Sequence, residues 1–300
     1  MIKELVSIII PTYNRAEFVV EAIRSAKAQT YPLKQIIVVD DGSSDETAQR
    51  VAQVEGVHYI YQENRGQGAA RNHGLRHAEG EYIASLDSDD LWNADFLSRS
   101  VECLDALGLD FVFTNWVKWK DGKSYSSEWQ QRGKWKPYRT RLHGEWSLLD
   151  ATQVRKMFLE ICPAPSSSLL IRRDSIVSGW GEHMRIADDW YLILEMALHR
   201  RCRAAFSMTP RWKKRTDGRN VYDGQPIVES VRELYLHDYH FFRSDFSSRL
   251  TRREKLILLE RETKYRLRLR LHEWIDSNLA TRAKIPALVA QLRSLSRPAR

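Results

Sequence analysis

The residues in this chain best suited to chemistry stand in short acidic strings. Asp87-Ser88-Asp89-Asp90 follows an apolar run ending at Leu86. Hard oxygen ligands one residue apart at a strand end can reach a Mg²⁺ or Mn²⁺ ion that also takes phosphate oxygens. An acidic turn facing water has the same composition, but this one follows the fourth strand-like run in a series. A second string, Asp40-Asp41-Gly42-Ser43-Ser44-Asp45, also closes a strand-like run. A strand-end acid can accept hydrogen bonds from a nucleobase or a ribose. Ser43, Ser44 and Asp45 equally suit a helix cap, whereas Asp41, before the turn, has no capping duty. A third string, Asp188-Asp189, opens a helical pattern far along the chain. Acids favour a helix N-terminus for ordinary electrostatic reasons, and that reading stays open for Asp188. Asp189 reads as a base, because transfer of a group to a hydroxyl needs a carboxylate that takes the departing proton.

The stretch 64–74 adds Gly66, Gly68 and Gly74 around Arg71. Glycines before a helix suggest a phosphate-cradling turn, but the third glycine of the dinucleotide fingerprint and the Gly-Lys-Ser/Thr of a P-loop are both missing. Arg71 is left as a candidate diphosphate partner. The nine histidines contain no His-Glu-x-x-His motif, since Gly74 follows His73 in the pair His73 and His77, so a metalloprotease site has no support.

The elements that must position these groups follow from periodicity. Apolar runs at 6–10, 35–39, 57–61 and 81–86 read as strands, and 47–54 and 69–78 read as helices, as do Phe18, Ala22, Ile23 and Ala26 at helical spacing. This alternation is the signature of stacked βαβ units around a mainly parallel sheet, whose ligands bind beyond the carboxyl ends of the strands. Residues 108–150, with Trp116, Trp119, Trp129, Trp135 and Trp146 among polar residues, predict strands and loops. Residues 169–171 predict a short strand and 190–199 a helix. From 227 onward the pattern is helical, with Leu256, Leu259, Leu267, Leu271 and Trp274 as one apolar stripe.

Length and composition set the class. Three hundred residues with 43% hydrophobic and 29% charged content describe a folded, water-soluble protein. Cys103, Cys162 and Cys202 form no Cys-x-x-Cys pair, and with no secretory or membrane-spanning run in the sequence they predict a reducing, cytoplasmic setting. The net charge of +8 lies at the C-terminus, where residues 249–300 hold 14 Lys or Arg against 5 Asp or Glu. The rest of the chain is close to neutral.

Five ordered motifs within residues 1–200 resemble those of the family 2 glycosyltransferases of the GT-A fold: Pro11-Thr12-Tyr13-Asn14, then 39–47, 64–74, 86–92 and Asp188-Asp189-Trp190. The resemblance implies an α/β, Rossmann-like GT-A domain over 1–220, with 1–107 binding nucleotide and 108–220 the acceptor, followed by a helical, basic region over 221–300. It implies an inverting, metal-dependent transfer of sugar from a nucleoside-diphosphate donor, first of all a UDP-sugar, to a glycan or lipid-linked hydroxyl in surface polysaccharide or lipopolysaccharide synthesis. Pro11, Tyr13, Asn14, Asp41, Arg71 and Ser88 would bind the nucleotide, Asp87 and Asp188 would meet the ribose or sugar, and Asp89 would hold Mn²⁺ or Mg²⁺. Asp189 would be the general base. Asp188 stands where the family usually has Glu, and Trp212-Lys213-Lys214-Arg215 stands near the family's Tyr-Arg-x-His stretch, which makes Lys214 and Arg215 diphosphate candidates.

Trp116 and Trp190 are acceptor candidates, since an indole face can stack on a sugar; tryptophans also simply fill cores. The basic residues 261–270 fit a solvated face or an amphipathic helix on the inner, anionic membrane surface. The other function class is nucleic-acid binding through the basic C-terminus, which would be steeply salt-dependent. It leaves three acidic clusters without a purpose, so no nucleic-acid partner is expected.

Overall fold

The computed structural model of the chain describes residues 1–127, 137–216 and 232–279. The chain divides into two compact units, Met1–Asp223 and Gly224–Arg300. The boundary expected at 220/221, and Trp129 and Trp135, lie outside the described residues.

In the first unit, four parallel strands stand in the order β3-β2-β1-β4: β1 (Ile2–Thr12), β2 (Lys34–Asp41), β3 (His58–Gln62) and β4 (Gly80–Ser85). Strands covered on both faces need near-continuous apolar runs, and Val6, Ile8, Ile9, Ile10, Ile37, Val38 and Val39 have no exposed surface. Each such side chain contributes at most about 1.5–3 kcal/mol. Helices α1 (Val19–Lys27), α2 (Thr47–Ala52) and α3 (Gln67–His77) make the crossovers that parallel neighbours require. α3 packs on β1 and β2. A Cβ on Gly74 would stand 2.5 Å from Ile9 Cγ2, so glycine lets the helix lie that close.

The sheet continues past β4 through strands formed later in the chain. β10 (Leu169–Arg172) is antiparallel to both β4 and β6 (Phe111–Lys120). β11 (Ala204–Arg215) runs parallel to β6 and antiparallel to β9 (Trp146–Leu149), which pairs with β8 (Leu142–His143). β5 (Leu91–Trp92) pairs with β11, and β7 (Lys123–Ser127) with β6. The β11 register slips on either side of Pro210, which has no N–H for the ladder. Residues 108–127 and 137–150 are thus strands and loops, as their pattern predicts.

Helices α4 (Phe96–Ala106), α5 (Ala151–Glu160) and α6 (Asp188–His199) flank this half. Asp150 and Gln153 form a reciprocal capping box that starts α5. α6 is apolar nearly all round, and Leu192, Ile193, Leu194 and Met196 are wholly buried. It covers the helix expected over 190–199 and has Asp188 and Asp189 in its first turn, where their string places them.

The second unit has a π-helical turn (Glu233–Asp238), α7 (Tyr239–Asp245) and the long α8 (Arg252–Leu279). Thr251 and Glu254 exchange hydrogen bonds at the head of α8, fixing where it begins. Tyr239, Phe242, Phe246, Leu258 and Leu269 are buried. Glu262, also buried, is ion-paired to Arg243 and Arg266.

Candidate active site

Strand register explains why acids distant in sequence meet. Ile9 pairs with Ser85 and Pro11 with Val39. The parallel strands β1, β2 and β4 therefore end at one edge, which is where Tyr13, Asp41 and Asp87 follow. Pro11 is buried and Tyr13 is exposed there.

The loop after β2 is internally braced. Asp40 accepts hydrogen bonds from Ser43 N (2.8 Å) and Tyr59 Oη (2.7 Å). Asn14, in the left-handed region at φ 50°, donates its N–H to Ser43 Oγ and accepts from Ser44 N through Oδ1, both at 2.8 Å. Its amide oxygen therefore serves the loop.

Asp41 accepts from Gln62 Nε2 (2.7 Å), Arg65 N (2.8 Å) and Gly66 N (2.8 Å). The 64–68 turn is therefore not a phosphate cradle, because two of its N–H groups point at Asp41. Gly68 answers a packing need instead, since a Cβ there would stand 2.8 Å from the Gly181 carbonyl oxygen.

Arg71, 2% exposed, is the centre of the next layer. Its Nε donates to Ser85 Oγ (3.2 Å), Nη2 to Asp87 Oδ1 (2.6 Å) and Nη1 to Asp188 Oδ2. Gln67 Nε2 donates to the other Asp188 oxygen at 2.8 Å. Burial alone would lower the Arg71 pKa, but Asp188 and Asp87 outweigh it and hold the guanidinium charged. Arg71 thus clamps two acids, and each oxygen of the buried Asp188 accepts one hydrogen bond. The shorter Asp suffices where Glu was expected because Arg71 and Gln67 reach it.

The 3-10 turn Ser166–Ser168, before β10, ties the remaining acids together. Ser167 Oγ donates to Asp90 Oδ2 (2.7 Å) and accepts from Asp87 N (3.1 Å). Ser166 N donates to Asp189 Oδ2 at 3.1 Å, while Asp189 Oδ1 accepts from Trp190 N at 2.6 Å. Burial, then the neighbouring Asp188, pushes the Asp189 carboxyl up to about 7, with Arg71 opposing. Burial pushes Asp90 up to about 8 against the pull of Lys214. Asp89 is raised by burial and by Asp87, with Lys214 and Arg15 opposing, and its Oδ2 lies 3.8 Å from Arg15 Nε. Burial would lower the Lys214 ammonium, but Asp90, Asp87, Asp89 and Asp189 together hold it above the usual lysine value. Lys214 thus feels the acids after β4 and the acid on α6 at once.

Ser166, Ser167, Gln67 and Asp90 are site residues that sequence reasoning missed. Only Asp90 carried a signal, as the fourth member of its acidic string. Ser88 is buried beside them.

Three further expectations are corrected. Trp116 is buried and packs 5.2 Å from Trp212, and Trp190 is buried with Nε1 donating to Phe158 O, so neither ring offers a face to an acceptor. Arg215 is a brace: it lies over Phe18 (4.4 Å) and Trp119 (4.5 Å) and donates to Asp89 O and Glu21 Oε2.

No three acidic, His or Cys side chains among the described residues enclose a metal position by themselves. The donor set still fits Mg²⁺ or Mn²⁺, which commonly takes one or two carboxylates and completes its shell with substrate phosphates and water. Asp89 has the right chemistry, being a hard carboxylate raised by crowding and contacted only loosely by Arg15.

The family described as glycosyl transferase family 2 matches residues 7–176. The putative teichuronic acid biosynthesis glycosyltransferase TuaG of Bacillus subtilis is 38% identical over 119 residues, covering 38% of this chain and 47% of that protein. The chain spans less than half the length of the first curated relatives it matches. Among solved structures, the mannosyltransferase PcManGT from Pyrobaculum calidifontis, in complex with GDP-Man and Mn²⁺, superposes with a TM-score of 0.63 at 21% identity, covering 98% of this chain and 81% of that one. Staphylococcus aureus TarS 1-349, in complex with UDP-GlcNAc, gives 0.58 at 19% identity, covering 87% and 80%. These likenesses establish the GT-A fold, and with the match over more than half of its residues, the chain belongs to glycosyl transferase family 2.

Proposed function

We propose that this chain transfers a sugar, with inversion, from a nucleoside-diphosphate donor to a hydroxyl of a glycan or lipid-linked acceptor at the cytoplasmic side, in surface polysaccharide or lipopolysaccharide synthesis. The observation that carries it is the pairing of two differently placed acids around Lys214: Asp89 at the strand edge, and Asp189 held near neutrality on α6. The relative named for teichuronic acid biosynthesis and the likeness to structures holding UDP-GlcNAc and GDP-Man support this reading.

At the donor end, Asp41 has three of its roughly four acceptor sites filled by protein. The remaining site accepts an N–H of the base, a uracil imide in the first instance, beside the exposed Tyr13 ring. Asp89 would hold a divalent ion, whose chemistry is to offset charge on the departing diphosphate, while Asp87 would meet the ribose or sugar. Lys214 adds a fixed positive charge on the same side, the diphosphate role left to it once Arg215 is taken.

At the acceptor end, the Asp189 carboxylate takes the hydroxyl proton as that oxygen bonds to the anomeric carbon. The bond from that carbon to the diphosphate oxygen breaks, and its electron pair leaves with the nucleoside diphosphate. Ser166 N–H and Trp190 N–H hold the carboxylate in place. A carboxyl near 7 is a stronger base than an ordinary one while still ionising at neutral pH.

The test is calorimetry and turnover on two variants with a panel of nucleotide sugars and Mn²⁺. Asp89→Ala abolishes the metal-dependent part of donor binding. Asp189→Asn leaves donor binding intact and stops transfer; full transfer by that variant removes the base assignment.

A further inference from the structure

Helix α8 has two apolar faces, and the C-terminal unit covers one of them. Leu258, Leu269 and Ile275 are buried. Leu256, Leu259, Leu267, Leu271 and Trp274 are 64%, 42%, 61%, 43% and 62% exposed. Five large apolar side chains within one stripe are more than the scattered single residues of an ordinary surface.

The same helix borders a cleft of about 580 Å³ against α7, lined by His240, Arg243, Arg252, Lys255, Leu256 and Leu259 among others. Arg243 is neutralised by Glu262. Arg252 and Lys255 are exposed and have no carboxylate within ion-pairing distance among the described residues. Exposed Arg253, Lys264 and Arg270 flank the stripe. Two of the basic residues between 261 and 270 are tied within the unit: Arg261 donates to Tyr239 Oη, and the exposed Arg266 donates to Glu262. The cleft therefore joins uncompensated cations to the head of an apolar stripe.

We propose that this cleft and stripe form a docking site for the headgroup layer of an anionic bilayer. A lipid phosphate enters between His240, Arg252 and Lys255, and the stripe from Leu256 to Trp274 lies in the interface. Charge complementarity favours this occupant, since residues 249–300 hold 14 basic against 5 acidic residues. A second copy of the helix fits worse. A coiled-coil seam stepping by four and three from Leu256 would run through Glu260, Thr263, Leu267, Arg270 and Trp274, half of it polar or charged. None of the described helices is long and apolar enough to cross a membrane, so α8 lies on the surface.

Flotation of the full chain with phosphatidylcholine vesicles, with and without phosphatidylglycerol, tests the site. Capture is expected only with phosphatidylglycerol and weakens as salt rises. Arg252→Glu with Lys255→Glu lowers partitioning by roughly tenfold or more, and Leu267→Ser with Leu271→Ser lowers it comparably, while nucleotide-sugar binding and the circular dichroism spectrum stay unchanged. Trp274 is quenched by brominated lipid, and Trp274→Phe loses that part of the quenching. Equal capture by both vesicle types, no capture by either, or capture indifferent to both double variants overturns the proposal. So does a dimer in sedimentation equilibrium that Leu267→Asp dissolves without any vesicle binding. Inorganic phosphate raising the melting temperature where vesicles bind nothing overturns it as well.

Discussion

Arg71 on α3 and Asp188 in the first turn of α6, 117 residues apart, share a buried charge-assisted hydrogen bond that joins the strand-edge acids to the helix bearing Asp189. Asp87 takes the second arm of the same guanidinium. Removing Arg71 would leave one carboxylate wholly buried and another crowded, and breaking a buried pair from one side costs about 3–5 kcal/mol. Arg71→Met is therefore expected to lower the urea midpoint steeply. Asp188→Asn, which keeps an oxygen for Arg71, costs less. Equal losses for the two variants would contradict the clamp.

As the proposed base, Asp189 sets the pH dependence of transfer. The ionised carboxylate is the working form, and its carboxyl lies near 7. The rate should climb with pH, level off above that value, and fall tenfold per unit well below it. Asp189→Asn flattens the profile and lowers the rate by about 10²–10⁴. Stability runs the other way. A carboxyl raised on folding contributes stability at low pH that is lost as pH rises through its folded pKa. At pH well above 7 the Asn variant should therefore melt higher than the parent. Parallel melting curves across that window would remove the burial argument.

On the proposed assignment, Lys214 competes with the metal for the same acids. Its charge acts on Asp90, Asp89, Asp87 and Asp189, and an opposite charge nearby shifts a carboxylate's proton affinity by about 1–3 units. Lys214→Met should bind Mn²⁺ alone more tightly, on the order of tenfold, and bind a nucleoside diphosphate without metal more weakly. Calorimetric titration of each separately reads both effects, and unchanged Mn²⁺ affinity would separate the lysine from the ion's position.

Gly68 tests how closely α3 lies on the loop carrying Gly181. The added Cβ would meet backbone rather than a yielding side chain, at 2.8 Å from the Gly181 oxygen. Overpacking of this kind costs about 1–3 kcal/mol. Gly68→Ala should unfold earlier in urea by that amount, and an unchanged midpoint would show that the loop gives way freely.

The parallel half of the fold was legible because buried strands and amphipathic helices leave different periods, and the strands expected at 6–10, 35–39, 57–61 and 81–86 all lie within or against β1 to β4. Acidic strings at strand ends were legible for the same reason. What each oxygen faces was not. Asn14, Asp41, Arg71 and Asp188 were all expected to look toward ligand, yet they are largely occupied by Ser44, the 62–66 turn, one another and Gln67. Those partners are set by tertiary packing and leave no local pattern. Ser166 and Ser167 belong to no motif, and only the fold brings them against three acids. The helical period of α8 located its stripe of leucines, but not the buried face carrying Leu258, Leu269 and Ile275.

β10 occupies a place in the sheet that its position in the chain would not suggest. Until residues 169–172 have been synthesised, β4 and β6 have no common neighbour, and each keeps a row of unpaired backbone groups where β10 will sit. A ribosome-bound chain halted before residue 166 therefore holds β1 to β4 with an open edge and lacks the Ser167 hydroxyl that Asp90 accepts from. Assembly of the two halves waits on a four-residue strand.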